Sequence, residues 1–374
     1  MTTKQYYVRE FPVYESFEGF PEVTPDGIHL KDLYEELIYD IKNILPTKPY
    51  VGNCSKEFVK KIIDIYGEDE FRRIQSIDFP DTREHPITDE QCEKEMKTLL
   101  KNGKDKKSVS LIIKKCHPSI NLAHRQGCLS PYEGWQAIKS DYKKFLSFYE
   151  NRLRCSDWFK EKDNVKFLIQ GYVPEFIYGI GLSTSRKYPQ VSYFKPHLAK
   201  YIVSKYLSEY DRVFDPFAGY CGRMLGVIAN GKEYNGQDLC ESTVNELCDV
   251  YTKVIEPYLK ENDYPLVGMS IDCVDSTTKT GVYECLFTCP PYSNLEQSPG
   301  VDLQKRSCDQ WIDICLNNYR CDKYVFVVDD TIDKYKDFIV ETLENTSHFG
   351  RNNEYIVVIN GEDRKSLGFN YDPA

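Results

Sequence analysis

Thr288-Cys289-Pro290-Pro291-Tyr292 is the stretch best suited to chemistry. It follows the apolar run Cys285-Leu286-Phe287, which reads as a buried strand. Two successive prolines fix φ, remove two backbone donors and end that strand. The chain must turn there and leave the Pro290 carbonyl without a ladder partner. A rigid turn, an unpaired carbonyl and an aromatic ring at Tyr292 together suit a planar group that bears an amine. A plain proline-rich loop would look the same, so the stretch has to be weighed against the rest of the chain.

The second half alternates short apolar runs with helical periodicity. Strands are predicted at Arg212-Val213-Phe214, 234–238, 267–272, 284–287, 323–328 and 355–359. Helices are predicted from Phe194 to about Tyr206 and at 221–229, 241–259, 310–319 and 334–343. Alternation of this kind implies βαβ units and a mainly parallel sheet with helices on both faces. Ligands bind such sheets at the carboxyl ends of the strands. Candidate residues fall there in succession: Asp215 after the first strand, Asp238 ending the second, Asp275 after the third, and Pro290-Pro291-Tyr292 after the fourth.

Asp215-Pro216-Phe217-Ala218-Gly219, with Gly222, reads as a tight strand-to-helix turn whose glycines permit close backbone approach. No Gly-Lys-Ser/Thr follows, so it is not a phosphate loop, and it lacks the Gly-x-Gly-x-x-Gly dinucleotide fingerprint. Asp215 would suit an ammonium group or an ordered network around an amino acid. Asp238 could accept two ribose hydroxyls or cap the next helix. Asp275 could accept from an adenine amine or serve the turn at Ser276 and Thr277. An amino acid, a ribose and an adenine in one pocket describe S-adenosylmethionine.

Residues 191–360 resemble the DNA amino-methyltransferases, which methylate N6 of adenine or N4 of cytosine. The resemblance rests on Phe194-Lys195-Pro196, on Phe214-Asp215-Pro216-Phe217-Ala218-Gly219-x-x-Gly222, and on Cys289-Pro290-Pro291-Tyr292, in that order. It implies a Rossmann-like methyltransferase fold with S-adenosylmethionine as cofactor and DNA as partner. Phe194, Lys195, Asp215, Phe217, Gly219, Gly222, Asp238 and Asp275 would form the donor site. Cys289, Pro290, Pro291 and Tyr292 would be catalytic, acting on a flipped base. The family has Asp, Asn or Ser where this chain has Cys289, and a thiol is a weak acceptor. The Pro290 carbonyl, together with Thr288, is therefore expected to hold the amine. Thr-Cys-Pro-Pro-Tyr lies nearer the Thr-Ser-Pro-Pro-Tyr of cytosine-N4 enzymes. Covalent attack by Cys289, as in cytosine-C5 methylation, fits less well, because that family carries Pro-Cys. RNA and protein methyltransferases with Asn-Pro-Pro-Tyr remain an alternative acceptor class, and a decayed binding protein is a third reading.

The first half must position the target, because the family's recognition insert is missing between Asp275 and Cys289. Residues 1–175 are expected to be a mostly helical α+β region for target recognition, and 176–374 the catalytic domain. Helices are expected at 30–45, 55–66, 88–100 and 136–154, with a strand at 165–169 and broken backbone through Gly171, Gly179 and Gly181. Between Glu93 and Lys115 eight lysines face three acids, a candidate phosphate-contacting face in a chain whose formal charge is −10. Fourteen cysteines without a Cys-x-x-Cys pair, and no apolar leader, suggest reduced thiols and a cytoplasmic location. Cys116, His117, His124 and Cys128 match no standard zinc spacing, so no metal is expected. No apolar run approaches a membrane span of roughly 18 residues.

Overall fold

The computed structural model describes residues 56–101, 111–124, 127–155, 157–160, 164, 167, 171–188, 191, 193–291, 306–328, 333–344 and 353–369. The expected helix at 30–45 and most of the expected strand at 165–169 lie outside them. The chain forms two compact units, Met1–Glu84 with Gln136–Gly181, and His85–Trp135 with Leu182–Ala374. Segment 85–135, which carries the lysine-rich stretch, thus belongs to the same unit as the sheet.

In the first unit the helices Lys56–Gln75, Tyr142–Cys155 and Glu175–Ser183 pack around a partly buried ion pair. Arg73 donates to both Glu70 oxygens (2.7 and 2.6 Å) and to the Val173 carbonyl (2.6 Å), and Tyr178 donates to Glu70 (2.8 Å). The expected breaks at Gly179 and Gly181 are instead helical. A Cβ at Gly179 would sit 2.0 Å from the Asp81 carbonyl oxygen, and one at Gly181 would sit 2.6 Å from the Arg152 side chain. Both glycines serve close packing. The expected helix 136–154 is two helices, Pro131–Ser140 and Tyr142–Cys155.

The second unit holds a seven-stranded sheet. Its strands are β1 Arg212–Asp215, β2 Glu233–Asp238, β3 Met269–Cys273, β4 Cys285–Thr288, β5 Lys323–Val328, β6 Ile339–Glu344 and β7 Asn353–Asn360. In space the order is β3-β2-β1-β4-β5-β7-β6. The first five run parallel, whereas β7 is antiparallel to β5 and to β6. This is the Rossmann-like methyltransferase fold. Order reverses between β1 and β4, so their carboxyl ends flank the topological switch point.

Both faces of the central strands are buried, as a sheet covered by helices requires. Val213, Cys285, Phe287, Val325 and Val327 pack into one cluster, with the helices Pro196–Tyr206, Gly222–Ile228 and Glu241–Val250. Their strand neighbours Phe214, Leu286, Tyr324 and Phe326 face the other side, with the helix Cys308–Asn318. The alternation follows the two-residue period of a strand.

Two expectations about the sheet unit fail. The helix predicted at 334–343 is the 3₁₀ turn Lys336–Phe338 followed by β6. Its apolar spacing satisfied either period, and pairing with β7 decided the outcome. The single helix predicted at 241–259 is interrupted by a π-helical segment, Tyr251–Ile255.

Candidate active site

At the end of β1 the Asp215 carboxylate is fully buried. Oδ2 accepts from Arg223 Nε (2.7 Å) and the Tyr234 hydroxyl (2.9 Å). Oδ1 accepts from the Thr288 hydroxyl (2.6 Å) and the Phe217 amide (3.2 Å). A carboxylate offers about four lone-pair sites, and protein donors use all of them. Asp215 therefore orders a network of protein groups and has little capacity left for a ligand ammonium.

Asp238, at the end of β2, differs. Oδ2 accepts from the Gly219 amide and Oδ1 from the Cys240 amide, each at 2.9 Å. One donor per oxygen leaves two lone-pair sites, enough for a vicinal diol. Cys240, not Asp238, is the N-cap of the following helix, so the capping alternative is not realised. Burial raises the Asp238 pKa, against the opposing pull of those two amides. Leu239, 40% exposed immediately beside this acceptor, was passed over in the sequence. Its only signal there is an apolar residue following the strand-end acid.

The glycine turn takes its shape from different causes at its two glycines. Gly219 has φ +58°, and nothing lies nearer than 3.8 Å to where its Cβ would be. Cys221 also takes a left-handed φ, 42°, which costs a non-glycine residue roughly 1–2 kcal/mol. A Cβ on Gly222 would sit 1.8 Å from the Phe194 carbonyl oxygen, and one on Gly226 would sit 2.3 Å from Ala199 Cβ. Gly222 thus admits the Phe194 backbone, not a ligand. Phe194 is buried, meets Phe287 edge-on (centroids 5.8 Å apart) and lies under the Arg223 guanidinium. Lys195 is the N-cap of the helix Pro196–Tyr206, its carbonyl accepting from the Leu198 and Ala199 amides. Phe217 is half-buried against the edge of Trp311.

Asp275 follows β3. Its Oδ1 accepts from the Thr277 amide (2.9 Å) and hydroxyl (2.7 Å), the turn arrangement its neighbours allowed. The adjacent Ser276 is buried and donates to the Pro216 carbonyl (2.5 Å), which ties the end of β3 to the glycine turn.

At the end of β4, Thr288 is fully buried and its hydroxyl donates to Asp215. Its side chain is turned into the network, away from the amine-holding role expected of it. Cys289 and Pro291 are half-buried, and Pro290 is buried. Tyr292 lies outside the described residues. The structure thus brings together Phe194, Asp215, Gly219, Gly222, Asp238 and the Thr288-Cys289 strand end through direct contacts or one shared partner. Arg223 and Tyr234 complete this set, and no motif pattern singles them out.

His117, weighed for metal, is fully buried with Nδ1 3.0 Å from Glu246, and Ser119 donates to the same carboxylate (2.5 Å). Burial pushes the Cys116 thiol up to about 11. Among the described residues no three His, Cys, Asp or Glu side chains group as a metal site, and no helix is long and apolar enough to cross a membrane.

No family model matches the chain, and no curated protein does. Similar solved structures include the 23S rRNA methyltransferase ErmE, at 10% identity over 44% of this chain and 66% of that one, TM-score 0.31. Another is magnesium protoporphyrin IX methyltransferase from Synechocystis PCC 6803 with bound SAM, at 12% identity over 43% and 74% of the two chains, TM-score 0.30. A third is the human methyltransferase 10 domain containing protein, at 13% identity over 44% and 80%, TM-score 0.28.

Proposed function

We propose that this chain is a methyltransferase that uses S-adenosylmethionine and acts on an exocyclic amine of a flipped DNA base, cytosine N4 ahead of adenine N6. The observation that carries the reading is the contrast at the switch point. Asp215 is saturated by protein donors, whereas Asp238 keeps two lone-pair sites beside an unobstructed glycine. Asp238 would accept the ribose hydroxyls, and exposed Leu239 would cover a face of the adenine. Asp275 would meet the adenine amine with the oxygen that Thr277 leaves over.

Bound S-adenosylmethionine would supply a sulfonium methyl; the amine lone pair would take it as the C–S electron pair leaves with sulfur, and the methylated nitrogen would then release one proton to water. The chain contributes position more than acid or base. Thr288, fixed on Asp215, sets where the Cys289-Pro290 turn begins. The Pro290 carbonyl accepts an amine hydrogen and aligns the lone pair, and Tyr292 stacks the base. The lysines of segment 93–115 would contact phosphates.

Tritium transfer from labelled S-adenosylmethionine to duplex DNA, RNA and protein tests this directly. Label in DNA amines that disappears in Tyr292→Ala, while donor binding persists, is expected. Label confined to RNA or protein would move the acceptor class, and no transfer to any polymer would refute the enzyme reading.

A further inference from the structure

Arg223 has no place in any motif, yet it contacts Phe194, Asp215, Phe217 and Ala218, all of which do. It is 6% exposed. Nε donates to Asp215 Oδ2 (2.7 Å), and Nη2 donates to the carbonyls of Phe217 and of Ala218 (3.1 Å to the latter). The guanidinium lies 5.4 Å from the Phe194 ring centroid and within electrostatic reach of Cys289.

The two carbonyls belong to successive peptide planes of the glycine turn. The amides on their other ends are also tied, Ala218 N–H to the Gln237 carbonyl (2.8 Å) and Gly219 N–H to Asp238 (2.9 Å). Both planes are therefore pinned at both ends. Releasing the carbonyl side would let the 218–219 plane rotate and take its amide off Asp238. Burial opposes the charge on Arg223, but the Asp215 carboxylate, together with Cys289 and Tyr234, raises its pKa overall.

We infer that Arg223 is the positioning residue of the donor site, its planar fork drawing the Phe217 and Ala218 carbonyls inward so that Asp238 meets a ligand diol with the correct lone pairs. This rests on the donor reading above. A simple counter-charge for Asp215 would need only a cation. A fork that reaches one carboxylate and two carbonyls at once needs a guanidinium.

The test is calorimetric titration of the full chain with S-adenosylhomocysteine, alongside thermal melting. Arg223→Lys keeps the charge and loses the fork. Asp215→Asn/Arg223→Met removes the ion pair as a neutral unit. We expect Arg223→Lys to bind about tenfold more weakly, and the double variant about a hundredfold more weakly, both melting within a few degrees of the unaltered chain. A folded variant of either kind that binds like the unaltered chain would overturn the inference and leave the donor reading intact. If the double variant does not fold, Arg223→Lys decides. Failure of the unaltered chain itself to bind would overturn the donor reading and this inference with it.

Discussion

Thr288 donates its hydroxyl proton to Asp215 across 2.6 Å, joining the carboxyl ends of β4 and β1 at the point where strand order reverses. One bond thereby links the glycine turn to the start of the Cys289-Pro290 turn, with neither group exposed.

Thr288→Val keeps the shape and removes the donor. Asp215 Oδ1 would then lose its shortest bond in a buried setting, a loss of about 1–3 kcal/mol. Thr288→Ser should recover most of it, leaving only the deficit of a missing methyl. Urea unfolding of the three chains measures both differences. Equal midpoints for Val and wild type would mean that the bond adds nothing to stability.

The two glycines of the turn should separate cleanly. Gly219→Ala meets only ordinary van der Waals contact, so its penalty is that of a left-handed φ, about 1 kcal/mol. Gly222→Ala drives a methyl to within 1.8 Å of a backbone carbonyl, and no side-chain rotation relieves it. Overpacking of that kind typically costs 1–3 kcal/mol or more. Expression and thermal melting should therefore show a mild Gly219→Ala and a severely destabilised Gly222→Ala. The reverse order would mean that Gly222 does not pack on Phe194.

How much of this the sequence disclosed depends on distance along the chain. β1 and β4 were legible because each is a short buried run ended by Asp-Pro or Cys-Pro-Pro, a purely local signal. The positions of Asp215, Asp238 and Asp275 followed from the same punctuation. What Asp215 does was not legible, because its partners Arg223, Tyr234 and Thr288 lie 8, 19 and 73 residues away. β6 was missed for a related reason, since Ile339 and Leu343 fit a helix until β7 pairs with them. Gly179 and Gly181 read as breaks because the groups that need them small, on Asp81 and Arg152, are remote in sequence.

Donor affinity should depend on pH through Asp238. Burial raises its folded pKa above the ordinary 3.8, so the folded chain takes up this proton before the unfolded chain does. Between those two values the protonated acid favours the fold, and that contribution is lost as pH rises through the folded pKa. Binding runs the other way, because protonation turns one acceptor oxygen into a donor just where a ribose hydroxyl must give its hydrogen. S-adenosylhomocysteine affinity is therefore expected to fall as pH drops toward and below the raised pKa. Asp238→Asn should weaken binding by about 10–100-fold, at about 1.4 kcal/mol per tenfold, and flatten this pH response. An unchanged profile in Asp238→Asn would remove Asp238 from the donor site.

Cys289 stands where an amine acceptor is expected, yet a thiol accepts weakly, so the Pro290 carbonyl should hold most of the amine. Cys289→Ala is then expected to lower methyl transfer by less than about tenfold, within roughly 1.4 kcal/mol of barrier. Cys289→Ser, with a stronger acceptor of similar shape, should equal or exceed the unaltered chain. A covalent route through sulfur predicts the opposite, loss of turnover in both variants. Single-turnover rates with labelled donor, together with intact-protein mass spectrometry for a base adduct, decide between them, and a trapped adduct at Cys289 would replace direct transfer with nucleophilic catalysis.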